Sequence, residues 1–275
     1  MTRRLQKLDR RALFASGAAA ALLAATGVSA SSRPERGGRL RMALSGASRS
    51  DVFDAREPMG LFMMVALQGA VFDMLTEISG DGTLRGELAT SWRSENGARR
   101  WIFDLRPDVM FHDGSPFTAM DATASLSLHA PDALSNVRRI AALSEWQVLV
   151  ELREADPHFP FLLSAPQFVM YPHANVERAM IEGIGTGLYR VRKFDAGRHF
   201  IGTRVEQHYK DGTAGWYDHV ELVSIPSAEV RAEALRERLI DAADLPTARH
   251  IHGNDDILLL PHENAVTHAV WSDVG

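Results

Sequence analysis

Two histidines, His250 and His252, flank Ile251 in the run Arg249-His250-Ile251-His252. In an extended segment they fall on one face, and two imidazoles supply half of a four-ligand metal site. The set is not completed. Asp255 and Asp256 follow, but nothing fixes them at ligand spacing, so no metal is expected. His262-Glu263 has Val266 where a zinc-protease helix needs its second histidine. No G-x-S-x-G elbow and no phosphate-binding P-loop occurs. Gly183-Ile184-Gly185-Thr186-Gly187 is dense in glycine, but it follows a helical pattern and opens a strand. A dinucleotide loop does the reverse, so this is read as a glycine turn. The chain lacks cysteine, which removes disulfides, thiolate ligands and a thiol nucleophile. No catalytic residue and no cofactor is expected. The residue chemistry is that of a binding or interaction protein.

One polar stretch could meet a ligand. Ser45 to Pro58 is long for a loop, and loops of this length in compact domains are often functional. Its hydroxyls and acids (Ser45, Ser48, Ser50, Asp51 and Asp54) could face a solute; a merely solvated loop remains the other reading. The elements that must hold it flank it. Arg39 to Leu44 alternates as a strand. Gly60 to Thr76 is apolar, with Leu61, Val65, Gln68, Phe72 and Leu75 at helical spacing. Met63, Met64 and Met74 are read as core packing rather than soft-metal ligands.

The best-marked scaffold runs from Arg99 to Leu128. Trp101, Phe103 and Leu105 alternate as a half-buried strand. Asn96-Gly97 predicts the hairpin that joins it to a strand at Trp92. Pro107-Asp108 and Asp113-Gly114 turn the chain. Thr118 with Asp121 three residues on predicts the start of a helix reaching about Leu128. Further on, Asn136–Leu143 reads as a short helix or strand and Trp146–Leu152 as a strand. Phe159–Leu163 reads as a short helix or turn, Phe168–Tyr171 as a strand and Val176–Ile181 as a helix. Tyr189–Phe194, Ile201–His208 and Tyr217–Ile225 are predicted strands. Ala228–Leu239 is predicted as an amphipathic helix with Val230, Ala234 and Leu235 inward. Ile240–Leu245 leads to final strands at Ile257–Leu260 and Val266–Trp271.

The N-terminus predicts export. Arg3, Arg4, Lys7, Arg10 and Arg11 precede an apolar run from Ala12 to Val28, and Val28-Ser29-Ala30 is a small-residue cleavage site. Residues 1–30 are thus read as a signal peptide. Arg10 and Arg11 fit a twin-arginine signal; an ordinary secretory signal and a retained anchor helix stay open. Residues 31–38 read as a linker and 39–275 as the folded part. Taking five basic residues and one acid from totals of 30 and 35 leaves 25 against 34. That acidic balance speaks against nucleic acid and anionic membrane surfaces.

The order of these segments resembles the periplasmic solute-binding proteins of peptide- and nickel-type ABC importers, solute-binding family 5. The segments are GGRLRMAL at 37–44, VFDMLTEISGDGTLRGELATSW at 71–92 and WIFDLRPDVMFHDGSPFTAMDATASL at 101–126. Others are VLVELREADPHFPFLL at 148–163, GTGLYRVRKFDAG at 185–197 and RERLIDAADLP at 236–246. The second and third carry most of the specificity. The resemblance implies an α/β (mixed α+β) fold, the first lobe of a type II periplasmic-binding-protein-like architecture, with mixed sheets flanked by helices. Family members usually run to roughly twice this length and close two lobes over a ligand, as hinge-type binding proteins do. Residues 257–271 look like the crossing into a second lobe, which is expected to be missing here. Three departures stand out: a shorter loop between Ala130 and Ile140, Leu188 in place of the common proline, and no tryptophan after Tyr209. The resemblance implies a non-enzymatic periplasmic protein that captures a small, peptide-like solute for the permease subunits of an ABC importer. By position, the loop with Ser45, Asp51 and Phe53 and the strand near Trp271 would face the solute. A lone lobe acting as a protein-interaction module, or a chain that has lost transport function, is the alternative.

Overall fold

The computed structural model describes residues 35–79, 82–130, 132–247, 251, 256–261 and 267–271, with side chains through 258. The signal-peptide reading, Arg10, Arg11, His250 and His252 lie outside the described residues.

β1 (Arg39–Leu44) lies inside a sheet rather than at its edge. Leu40, Met42 and Leu44 enter the main core, and Ala43 enters a second, smaller one. The loop 45–58 leads to a four-residue helix, α1 (Leu61–Met64), that widens into a π-helical segment (Val65–Val71). The helix expected to reach Thr76 stops there, because Phe72 is extended (φ −123°, ψ 152°). Its successors bond elsewhere: Leu88 donates to the Met74 carbonyl (2.9 Å), Met170 to that of Asp73 (3.0 Å) and Gly187 to that of Val71 (2.9 Å). Tertiary partners outcompete helical spacing.

β2 (Thr76–Ile78) and β3 (Leu84–Gly86) form a small ribbon. β4 (Ala89–Glu95) and β5 (Arg100–Leu105) form the expected hairpin, with Asn96 and Gly97 at φ 53° and 64°. α2 (Ala119–Ser127) begins where Thr118 and Asp121 place it. The Asp121 carboxylate reaches back to the Thr118 N–H (2.7 Å) and hydroxyl (2.8 Å). β6 (Val137–Ser144) and β7 (Gln147–Leu152) complete an antiparallel sheet in the order β4-β5-β7-β6.

α3 (Phe159–Leu162) is short. Phe168–Tyr171 is not a strand. Its amides go instead to the Asp73 carbonyl and, from Tyr171, to the Ser125 hydroxyl at 2.8 Å, so no ladder forms. α4 (Val176–Glu182) ends at Gly183, whose φ of 71° suits glycine. At Gly185 a Cβ would collide with the Val71 carbonyl, which is why a glycine turn follows α4 here.

β8 (Tyr189–Asp195), β9 (His199–Arg204), β10 (His219–Ser224), β11 (Ala242–Leu245), β12 (Ile257–Pro261) and β13 (Thr267–Trp271) join β1 in one sheet, ordered β12-β13-β11-β1-β10-β9-β8. β1 runs parallel to both β10 and β11. α5 (Ala228–Arg236) connects those two and covers Ala43 and Ala243 with Ala232 and Leu235. Leu235 and Ala234 face inward as expected, but Val230 does not. Val230 is exposed and Arg231 is buried, because Arg231 Nε donates to the Asp244 carbonyl at 2.7 Å and rotates the helix accordingly.

Candidate functional site

The three parallel strands end together. Leu44, Ser224 and Leu245 lie at one edge, and the loops that follow them gather there. In open α/β sheets, ligands bind beyond the carboxyl ends of such strands. The loop 45–58 is therefore well placed, but its residues divide into two kinds.

The first kind holds the loop down. Asp244 Oδ1 accepts from the Ser45 N–H (2.8 Å) and Oδ2 from its hydroxyl (2.7 Å). The Arg231 guanidinium lies 3.2 Å from the same carboxylate, and both charges are buried. Asp51 is also buried, and it accepts from the Ser48 N–H at 2.8 Å. Burial pushes its carboxyl up, against the bonds from Ser48 and Gly197. Phe53 is fully buried, its ring 4.6 Å from that of Phe194. The Tyr171 hydroxyl donates to the Phe53 carbonyl (2.7 Å) and accepts from the Ala55 N–H (2.9 Å). Ser45, Asp51 and Phe53 are thus anchors of the loop, and none offers a free group to a solute. Trp271 does not join them. The register Met42–Ala242–Val270 places Trp271 level with Asp241, at the opposite end of β11 from Leu245. About four residues of strand, or roughly 13 Å, separate it from the Ser45 end.

The second kind opens onto a cleft of about 440 Å³. Ala55, Arg56, Glu57, Pro58 and Met59 form one wall. Met64, Leu128, His129, Asp132, Ala133, Pro166 and Gln167 form the rest. Arg56 is half exposed and forked onto Asp54, with Nε at 2.9 Å from Oδ1 and Nη2 at 2.7 Å from Oδ2. The Arg56 guanidinium holds the Asp54 carboxyl below the usual range. His129 is buried, edge-on to Phe168, and its Nε2 has no hydrogen-bond partner. Burial, then the charge of Arg56, pushes its imidazole down, so the ring stays neutral. The cleft thus offers one cation, two exposed acids (Glu57 and Asp132) and an apolar lining of methionine and leucine. Arg56 sits inside the loop expected to meet a solute; His129, Asp132 and Gln167 come from elements that sequence periodicity does not bring to it.

Residues 83–259 match the model of the bacterial extracellular solute-binding proteins, family 5 Middle. The chain belongs to family 5 of the bacterial extracellular solute-binding proteins. A curated relative, the nickel-binding periplasmic protein of Escherichia coli (strain K12), is 26% identical to this family 5 chain over 209 residues. The aligned part covers 70% of the chain and 38% of that relative. Two solved structures share the fold. The periplasmic binding protein DppA from Helicobacter pylori, in complex with the peptide STSA, superposes with a TM-score of 0.73 at 20% identity. It is matched over 82% of this chain and 51% of its own. AgaA of A. tumefacien R10, in complex with agropinic acid, also gives 0.73, at 24% identity over 81% and 47%. The family 5 chain therefore spans about half the length of these structures. The mixed α/β architecture expected from the sequence is the one observed, and the family is one of binding proteins rather than enzymes. Among the described residues, no helix is long and apolar enough to cross a membrane.

Proposed function

We propose that this chain captures a small, peptide-like solute after export to the periplasm and presents it to the permease subunits of an ABC importer. The cleft at Arg56 supports this reading. A zwitterionic peptide carries a carboxylate for the side of the Arg56 guanidinium turned away from Asp54, an ammonium for Glu57 or Asp132, and side chains for the apolar lining of Met59, Met64 and Leu128. Arg56 is already aligned by Asp54, so little rotamer entropy is lost when a carboxylate docks. The names of the relatives show solutes of varied chemistry, including the peptide STSA and agropinic acid, both bound by proteins of this fold. Each contains a carboxylate, as an Arg56 subsite requires.

The test is titration calorimetry of the purified chain against di- to pentapeptides, each with a free or amidated C-terminus. Free peptides should bind, and amidation should weaken them. Absence of heat and of any thermal shift at millimolar peptide would overturn the proposal for this chain.

A further inference from the structure

The polar groups of the Arg56 cleft divide by whether the fold already uses them. Arg56 gives Nε and Nη2 to Asp54, so its charge is offset and two of its donors are spent. Glu57 follows it in the loop and is exposed, and its charge is felt at Arg56. Asp132 lies across the cleft in the turn after α2, where its N–H donates to the His129 carbonyl at 3.2 Å. The Leu134 N–H donates to the same carbonyl at 2.9 Å, so this turn carries His129 and Asp132 together. Among the described residues, neither the Glu57 nor the Asp132 carboxylate has a hydrogen bond or an ion pair.

His129 is the third open group, and it is 6% exposed. Its ring is held edge-on to Phe168, with centroids 5.1 Å apart. The Gln167 backbone bonds the ring in the sense that favours a ring N–H. Nε2 has no partner, so that N–H belongs to Nδ1, and the Nε2 lone pair is what stays open. Buried polar atoms are nearly always paired, and an orphan in the wall of a cleft is satisfied by a donor held against that wall.

The three open groups are therefore all acceptors. The neutral amide of Gln167 favours neither sign. Once Arg56 and Asp54 have offset each other, Glu57 and Asp132 leave the cleft with two negative charges. A peptide with neutral side chains brings one ammonium for two acids. A second carboxylate would meet no free cation, whereas a second cation would meet the remaining acid.

Resting on the reading of this cleft as the solute site, we infer that the solute it selects is a basic peptide. Such a peptide carries a lysine or arginine side chain besides its terminal ammonium. The two cations lie at Glu57 and Asp132, and an N–H of the solute bonds His129 Nε2.

Titration calorimetry of the purified chain tests this with alanine tripeptides carrying one lysine at the first, second or third position, each beside its Nε-acetylated counterpart. Acetylation removes the charge and keeps the chain length. It should weaken at least one of the three by about 10-fold. If all bind and acetylation changes none, the inference is overturned while the cleft stands as a peptide site. If no tripeptide binds, the peptide reading falls and the inference with it. Glu57→Gln and Asp132→Asn should each shrink the penalty of acetylation, and both side chains are exposed, so neither change threatens the fold. An undiminished penalty in the double variant overturns the placement of the cations. His129→Phe should weaken the lysine peptides and their acetylated counterparts alike, by roughly fivefold, and His129→Gln, which restores an acceptor, should weaken them less. Wild-type affinity in His129→Phe overturns the contact at Nε2.

Discussion

The Asp244 carboxylate accepts two hydrogen bonds from Ser45, one from its N–H at 2.8 Å and one from its hydroxyl at 2.7 Å. This ties the end of β1 to the last residues of β11. It also decides how Ser45 behaves: the hydroxyl is already used. Ser45→Ala should cost about 1 kcal/mol of unfolding free energy, the usual net value of one hydrogen bond. Solute affinity should stay unchanged. Asp244→Ala should cost far more, about 3–5 kcal/mol, because Arg231 is left as a buried, unpaired charge. Urea unfolding of the two variants beside wild type checks both values. Equal losses would mean that Arg231 does not depend on Asp244.

Tyr171 gives a second anchor to test. Its buried hydroxyl bridges the Phe53 carbonyl and the Ala55 N–H at the lip of the cleft. Tyr171→Phe keeps the ring against Phe72 but orphans both backbone groups. A loss of about 2–3 kcal/mol is expected. Because Arg56 follows directly on this bridge, solute affinity should fall too, unlike in Ser45→Ala. Calorimetry alongside unfolding separates the two variants.

Much of this scaffold is legible in the sequence, and its limits follow from one cause. The hairpin at Asn96-Gly97 and the start of α2 at Thr118 are specified by a few neighbouring residues, so local chemistry finds them. The end of the helix at Val71 is set by Met170, Leu88 and Gly187, all distant in the chain, and spacing alone runs past it. Val230 looks inward until the buried pair Arg231–Asp244 is known. The loop of the candidate site is visible as a loop, yet which residues anchor it depends on Asp244 and Tyr171. Arg56 is left at the surface only because Ser45, Asp51 and Phe53 turn away.

Buried histidines predict an acid limb in stability. Burial lowers the imidazole of His112 from its ordinary 6.5, and likewise that of His129. A group with a depressed folded value contributes stability above its unfolded value and loses it as pH falls below that. Unfolding free energy should therefore decline from about pH 6.5 downward, by up to about 1.4 kcal/mol per pH unit for each histidine. His112→Gln retains an amide for the Gly187 carbonyl that Nε2 meets at 2.8 Å. It should be less stable near neutrality but show a shallower slope. An unchanged slope between pH 6.5 and 5 would assign the acid limb to other groups.

Arg56 carries the binding prediction. Charged hydrogen bonds are worth about 1.5–3 kcal/mol, so Arg56→Ala should weaken peptides with a free C-terminus by roughly 10- to 100-fold. Amidated peptides should be nearly indifferent to the change, since they bring no carboxylate to lose. Stability should shift little, because Arg56 is half exposed and its bond to Asp54 is local. Asp54→Asn distinguishes alignment from charge. It leaves the guanidinium in place but loosens its orientation, so affinity should fall by less than in Arg56→Ala. If Asp54→Asn proves the more damaging of the two, Asp54 itself contacts the solute and Arg56 serves only to hold it.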